Sequence, residues 1–162
     1  MIADINIKRF KGLWFYGLAG SGKSFASQFL KPVIANSFVI DGDVVREYIS
    51  TDLAYSVEDR TKQIFRIFGI GKIAIINNKF PIMSSVSMSD NMLKTCDRED
   101  IAVVLIKRPM EQLKIVRHLY TSENNVVGVD LPLANLDTLT LENDGTKSFE
   151  ITLTDYAKSF AT

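Results

Sequence analysis

The chain has 162 residues, 46% of them hydrophobic and 23% charged, with a formal net charge of zero. That length suits one domain with a sizeable core, and the balanced charge excludes a broad field for holding nucleic acid or an anionic membrane. A single cysteine, Cys96, excludes an internal disulfide and any multi-cysteine metal site.

The first predicted element is a strand, the short apolar run Leu13-Trp14-Phe15-Tyr16. It runs into Gly17-Leu18-Ala19-Gly20-Ser21-Gly22-Lys23-Ser24, which matches G-x-x-x-x-G-K-[ST] at every fixed position. Residues 23–30 can continue as a helix. Glycines in such a loop let successive N–H groups point at phosphate oxygens, and the helix N-terminus adds its positive dipole end. Lys23 can reach the β- and γ-phosphates, and the Ser24 hydroxyl can ligate Mg²⁺. The loop therefore predicts a bound nucleoside triphosphate.

Ser37 to Ile40 is the next strand, ending at Asp41-Gly42-Asp43, with a short helix over about 44–49. Ser56-Val57-Glu58-Asp59 has helix-start character. From there Ile64, Phe65, Ile67, Phe68, Ile70, Ile73, Ala74 and Ile76 recur at helical spacing and read as core. Residues 80–85 form a strand, 89–99 a polar helix and 101–106 a buried strand. Pro109 opens a helix toward Tyr120, as a first-turn proline does. Residues 121–137 are polar and irregular, suiting a mobile lid over a site, and a short strand near 139–141 and a helix over about 149–160 follow.

No repeat, low-complexity tract or linker interrupts this order, so residues 1–162 read as a single domain. Alternating strands and helices predict an α/β fold, a parallel sheet with helices on both faces. In such sheets ligands gather at the carboxyl ends of the strands, where the loop at 17–24 and Asp41-Gly42-Asp43 both fall. The clusters Lys8-Arg9-Lys11 and Lys107-Arg108 read as solvated surface, and Cys96 as a small buried apolar residue. No apolar run approaches transmembrane length and the start of the chain has no signal-type core, so the expected compartment is the cytoplasm.

Asp41 and Asp43 form a second constellation, with Arg46 one short turn further. Glycine between the aspartates allows a tight turn that aims both carboxylates into one cleft. One can hold a water of the Mg²⁺ shell, and the other can accept a proton from an attacking hydroxyl. Arg46, Arg60 and Arg66 can hold the anionic part of an acceptor, since guanidinium forks match phosphate geometry. The bland alternative is an aspartate turn capping a helix, with the arginines in surface ion pairs.

Three segments in order resemble the adenylylsulfate kinase family: Gly17 to Ser24, Ile40-Asp41-Gly42-Asp43-Val44-Val45-Arg46, and Leu53-Ala54-Tyr55-Ser56-Val57-Glu58-Asp59-Arg60. That family shows G-L-S-G-[SA]-G-K-[ST], L-D-G-D-N-[VI]-R and L-G-[FY]-S-x-E-D-R at similar spacing. The resemblance covers most of residues 13–88 well and the remainder weakly. It implies a P-loop NTPase fold, a three-layer sandwich, and a kinase using ATP and Mg²⁺ to phosphorylate the ribose 3′-hydroxyl of adenylylsulfate. Carried over, Lys23 and Asp43 are the catalytic pair, Asp43 as base, with Asp41 and Ser24 serving the metal. Arg46 and Arg60 would contact the acceptor's anionic groups, and Tyr55 would stack on its base. Gln63 stands where the family has asparagine, and Val86-Ser87 correspond to the Ile-Ser of F-I-S-P.

The departures fall on the acceptor and lid side. Val44 replaces the asparagine of D-G-D-N, and Met88-Ser89-Asp90 lacks the usual proline and arginine. The R-D-P-K-G-L-Y lid is shortened to Arg117-His118-Leu119-Tyr120, losing its lysine unless Arg117 substitutes. In Val126-Val127-Gly128-Val129-Asp130 the phenylalanine that closes over adenine is absent. His118 reads as structural rather than as part of the lid chemistry. Losing one ring of an aromatic sandwich weakens purine holding. The implied acceptor is therefore a small nucleotide: adenylylsulfate, or an analogue with a smaller base or altered pyrophosphate such as cytidine diphosphoramidate. A second copy of the chain, as a homodimer, is the only macromolecular partner expected. The alternatives are another P-loop small-molecule kinase and a non-catalytic nucleotide-binding regulatory domain.

Overall fold

A computed structural model describes residues 10–117, 126–129, 131–134 and 136–158. Five strands, β1 (Gly12–Tyr16), β2 (Ser37–Asp41), β3 (Phe80–Ser85), β4 (Ile101–Lys107) and β5 (Leu139–Glu142), form one sheet in the order β2-β3-β1-β4-β5. Every pairing is parallel, so the strands' carboxyl ends share one edge. The helices are α1 (Lys23–Leu30), α2 (Gly42–Tyr48), α3 (Val57–Ile76), α4 (Asp90–Arg98), α5 (Met110–Val116) and α6 (Lys147–Lys158). Asn36, Asn78 and Asp100 adopt left-handed φ of 56°, 59° and 57° immediately or two residues before β2, β3 and β4. Asn and Asp are the non-glycine residues that tolerate this conformation best.

The period of two along each strand divides the core into two layers. Leu13, Phe15, Ile82, Val104, Ile106 and Leu141 face α1 and α6, meeting Ala26, Leu30, Phe149, Leu153 and Tyr156. Trp14, Tyr16, Met83 and Ile101 face the other way, onto Val45 of α2, Ile64 and Ile67 of α3, and Met92 and Cys96 of α4. Both sheet faces are covered, which explains the unbroken apolar runs at 13–16 and 101–106. This is the expected α/β three-layer sandwich of the P-loop NTPase type. Cys96 is fully buried, and burial pushes its thiol up to about 12, the behaviour of an inert apolar residue.

Helix starts follow local capping. Ser56 accepts from the Asp59 N–H at the head of α3, and Ser89 accepts from the Met92 N–H at the head of α4. Four expectations need correction. The helix after Pro109 ends at Val116 rather than running on toward Tyr120, since Arg117 is extended at φ −138° and ψ 108°. The helix after β2 begins at Gly42 rather than 44, because Asp41 itself caps it by accepting from the Asp43 N–H. The last helix begins at Lys147, where Asp144 accepts from the N–H of Thr146 and the hydroxyls of Thr146 and Ser148. The apolar stripe on α3 is only partly core: Ile64, Ile67 and Ala74 are buried, but Phe65, Ile73 and Ile76 are 60%, 63% and 75% exposed. α3 carries apolar residues on more than one face, and one face alone meets the sheet. His118 and residues 119–125, 130 and 135 of the lid region lie outside the described residues. Within that region Val126 and Val127 are buried, so its described part is not a purely polar flap.

Candidate active site

The loop between β1 and α1 closes around the side chain of Lys23, whose Nζ donates to the carbonyls of Gly17 and Leu18, both at 2.8 Å. Burial pulls its pKa down to about 8, against the raising effect of the Asp43 and Asp41 carboxylates. Two glycines are required by geometry. Gly22 has φ +109°, and a Cβ there would lie 2.5 Å from Nδ2 of Asn143. A Cβ at Gly17 would lie 2.3 Å from the carbonyl oxygen of Ile106 on β4.

Ser24 Oγ donates to Asp41 Oδ2 at 2.5 Å, joining the loop to the end of β2. Oδ1 of the same carboxylate accepts from the Asp43 N–H at 2.9 Å. The bland capping role of Asp41 and the site role therefore coexist in one side chain. Gly42 fits beneath them because its backbone lies against β3: a Cβ there would meet the Ser84 carbonyl at 2.6 Å.

A cavity of about 420 Å³ opens above the carboxyl ends of β1, β2 and β3. Of the predicted residues, Ala19, Gly20, Gly22, Lys23, Ser24, Asp41, Asp43, Arg46, Tyr55, Arg60, Gln63, Val86 and Ser87 line it. Leu18 instead packs against Leu113 and Val126, and Ser21 is buried beneath the loop. Gln63 is 5% exposed and its Nε2 donates to the Gly42 carbonyl at 2.9 Å, tying α3 to the aspartate turn. The guanidinium carbons of Arg46 and Arg60 stand 4.5 and 5.4 Å from the centre of the Tyr55 ring. Arg46 also donates to the Ala54 carbonyl, and Arg60 to the Tyr55 carbonyl. Arg66 is a correction: it forms a fork with Asp52 at 2.5 and 2.8 Å and does not line the cavity, so it follows the ion-pair reading.

Sequence reasoning missed Arg108 and Asn143. Arg108, read as solvated surface, donates through Nη1 to the Gly20 carbonyl and through Nε to Gln112. Asn143 is buried and donates to the Ser21 carbonyl at 2.6 Å. Together they satisfy two successive carbonyls of the phosphate loop and so fix its backbone to the ends of β4 and β5. The available signal was position: both residues follow strand ends on the edge that carries the loop. Phe25, Arg117, Val126 and Val127 also line the cavity.

These residues fit a triphosphate and a divalent cation. The loop supplies N–H groups and a lysine, and Ser24 with Asp41 supplies hard oxygen ligands. Among the described residues no three His, Cys, Asp or Glu side chains gather as a metal centre, so phosphate and water oxygens would complete the shell. No described helix is long and apolar enough to cross a membrane.

Residues 10–121 match the family model described as adenylylsulphate kinase. An adenylyl-sulfate kinase of Buchnera aphidicola (from Acyrthosiphon pisum) is 32% identical over 107 residues, covering 61% of this chain and 52% of that protein. One from Oceanobacillus iheyensis is 27% identical over 135 residues, covering 74% of this chain and 68% of that one. The match thus spans about half the length of the Buchnera protein. The Mycobacterium tuberculosis APS kinase CysC, solved with AMPPNP and APS, superposes with a TM-score of 0.81 at 20% identity, over 95% of this chain and 99% of that one.

Proposed function

The chain belongs to the adenylylsulphate kinase family, and from that premise we propose that it is an ATP- and Mg²⁺-dependent kinase acting on a ribose 3′-hydroxyl of a small nucleotide. The observation that carries this reading is one cavity shared by Lys23 and Ser24 of the phosphate loop with Asp43, Arg46 and Arg60. A triphosphate held by the loop presents its γ-phosphate toward the aspartate turn. Mg²⁺, when bound, neutralises charge on the β- and γ-oxygens. Lys23 adds a cation against the same oxygens, and Asp43 takes the proton from the attacking hydroxyl. Arg46 and Arg60, held against Tyr55, grip the acceptor's anionic end. Such a transfer asks the protein chiefly for positioning and charge neutralisation.

The acceptor is adenylylsulfate or an analogue such as cytidine diphosphoramidate. Val126 lines the cavity where the family's adenine-closing phenylalanine would stand, which favours the smaller base. ADP release measured with each acceptor, ATP and Mg²⁺ tests the reading. Turnover with either supports a nucleotide kinase, and its absence with adenylylsulfate alone excludes that acceptor. Turnover with neither leaves the two alternatives, a P-loop kinase for another small molecule and a non-catalytic nucleotide-binding domain.

A further inference from the structure

One side chain of the cavity has no part in the chemistry above. Phe25 follows Ser24 in the first turn of α1, lines the cavity and remains 49% exposed. Its ring is fixed from behind. Phe29 and Phe149 each sit 6.1 Å away between ring centres, tilted by 31° and 36°. Phe149 is buried and reaches the loop itself, since a Cβ on Gly22 would lie 3.3 Å from its Cε1. A large apolar side chain, backed by two more rings, thus keeps half its surface open beside the phosphate loop. The resembled family motif, ending G-K-[ST], does not call for it.

The sheet order says which end of the ligand comes there. The acceptor residues belong to β2, α2 and α3, on one side of β1, whereas α6 with Phe149 follows β5, on the other side. Lys23 serves the β- and γ-phosphates, so a γ-phosphate facing Asp43 leaves the α-phosphate near the first turn of α1. The nucleoside then departs past Phe25.

We propose that Phe25 is the platform on which the nucleoside of the triphosphate donor lies. Base and ribose bury apolar surface on a preset ring, and donor affinity gains what the phosphate loop alone does not supply. This rests on the triphosphate reading above. Stacking one base on an aromatic side chain is worth about 5- to 150-fold in affinity.

Calorimetric binding of ATP and of inorganic tripolyphosphate, each with Mg²⁺, separates the two. Wild-type protein is expected to bind ATP more tightly than tripolyphosphate. Phe25→Ala should weaken ATP at least 5-fold and leave tripolyphosphate within 2-fold, and Phe25→Tyr should restore ATP binding. Should Phe25→Ala fail to fold, Phe25→Leu, which keeps apolar bulk without the ring, carries the same expectation. Equal weakening of both ligands, or of neither, overturns the platform while leaving the triphosphate reading intact. Wild-type protein that binds neither ligand overturns both.

Discussion

Ser24 Oγ donates a 2.5 Å hydrogen bond to Asp41 Oδ2, joining the phosphate loop to the carboxyl end of β2. On the proposed reading these two oxygens would be the protein's contribution to a hard cation, and Asp41 also caps α2. Asp41→Asn keeps an acceptor for the cap but loses the charge. Turnover is expected to fall about 10- to 100-fold, with more Mg²⁺ needed for half-maximal rate. A Mg²⁺ titration of the rate checks this, and an unchanged titration would remove Asp41 from the metal site.

Lys23 titrates at about 8 in the free protein because burial penalises its charge. On the proposed reading a bound phosphate would favour the charged form, which makes the protonated lysine the expected binding form. ATP affinity should be full below about pH 8 and then fall, by up to tenfold per pH unit, as the lysine neutralises. Lys23→Arg stays charged throughout and should bind more weakly but without that slope. Affinities measured from about pH 7 to 9.5 decide it; a flat wild-type profile contradicts the account.

The Tyr55 ring stands under the guanidiniums of Arg46 and Arg60, the proposed acceptor-binding pair. Cation–π contacts at exposed sites are worth about 0.5–1 kcal/mol each. Tyr55→Leu should therefore raise the acceptor KM about 2- to 30-fold with little change in the KM for ATP, and Tyr55→Phe should restore it. Steady-state kinetics with either substrate varied separates the two. Equal rises in both KM values would mean a general disturbance of the cavity.

Asn143 satisfies the Ser21 carbonyl and accepts from the Gly145 N–H at 2.9 Å, while buried. Asn143→Ala strands both groups, at about 1–3 kcal/mol for each left unsatisfied. Thermal melts should show Tm lowered by at least about 2–4 °C, and ATP should bind more weakly because the loop backbone at Ser21 is no longer fixed by the side chain. A melt at the wild-type temperature would show that water replaces the side chain.

Much of this was legible in the sequence where local rules act alone. The phosphate loop, α1 at 23–30 and the strand before it follow from glycine chemistry and an apolar run too short for a helix. Asp41, Asp43 and Arg46 were legible because strand-end loops of a parallel sheet converge on one edge, and Arg60, on α3, through the third resembled segment. Arg66 was misplaced because composition cannot tell an arginine facing a cleft from one facing Asp52. Phe65, Ile73 and Ile76 were misread because helical spacing reveals an apolar face but not how wide a face the sheet will cover. Arg108 and Asn143 escaped notice since each acts on a loop 88 or 122 residues away in the chain, a relationship only folding creates.

The most direct test of the central claim follows the γ-phosphate itself. ATP labelled at that position is incubated with Mg²⁺ and, separately, adenylylsulfate and cytidine diphosphoramidate, using wild-type protein and Asp43→Asn. The account predicts label on the ribose 3′-oxygen of at least one acceptor with wild-type protein, and strongly reduced transfer by Asp43→Asn even at saturating ATP. No transfer to either acceptor, or undiminished transfer by Asp43→Asn, would contradict it.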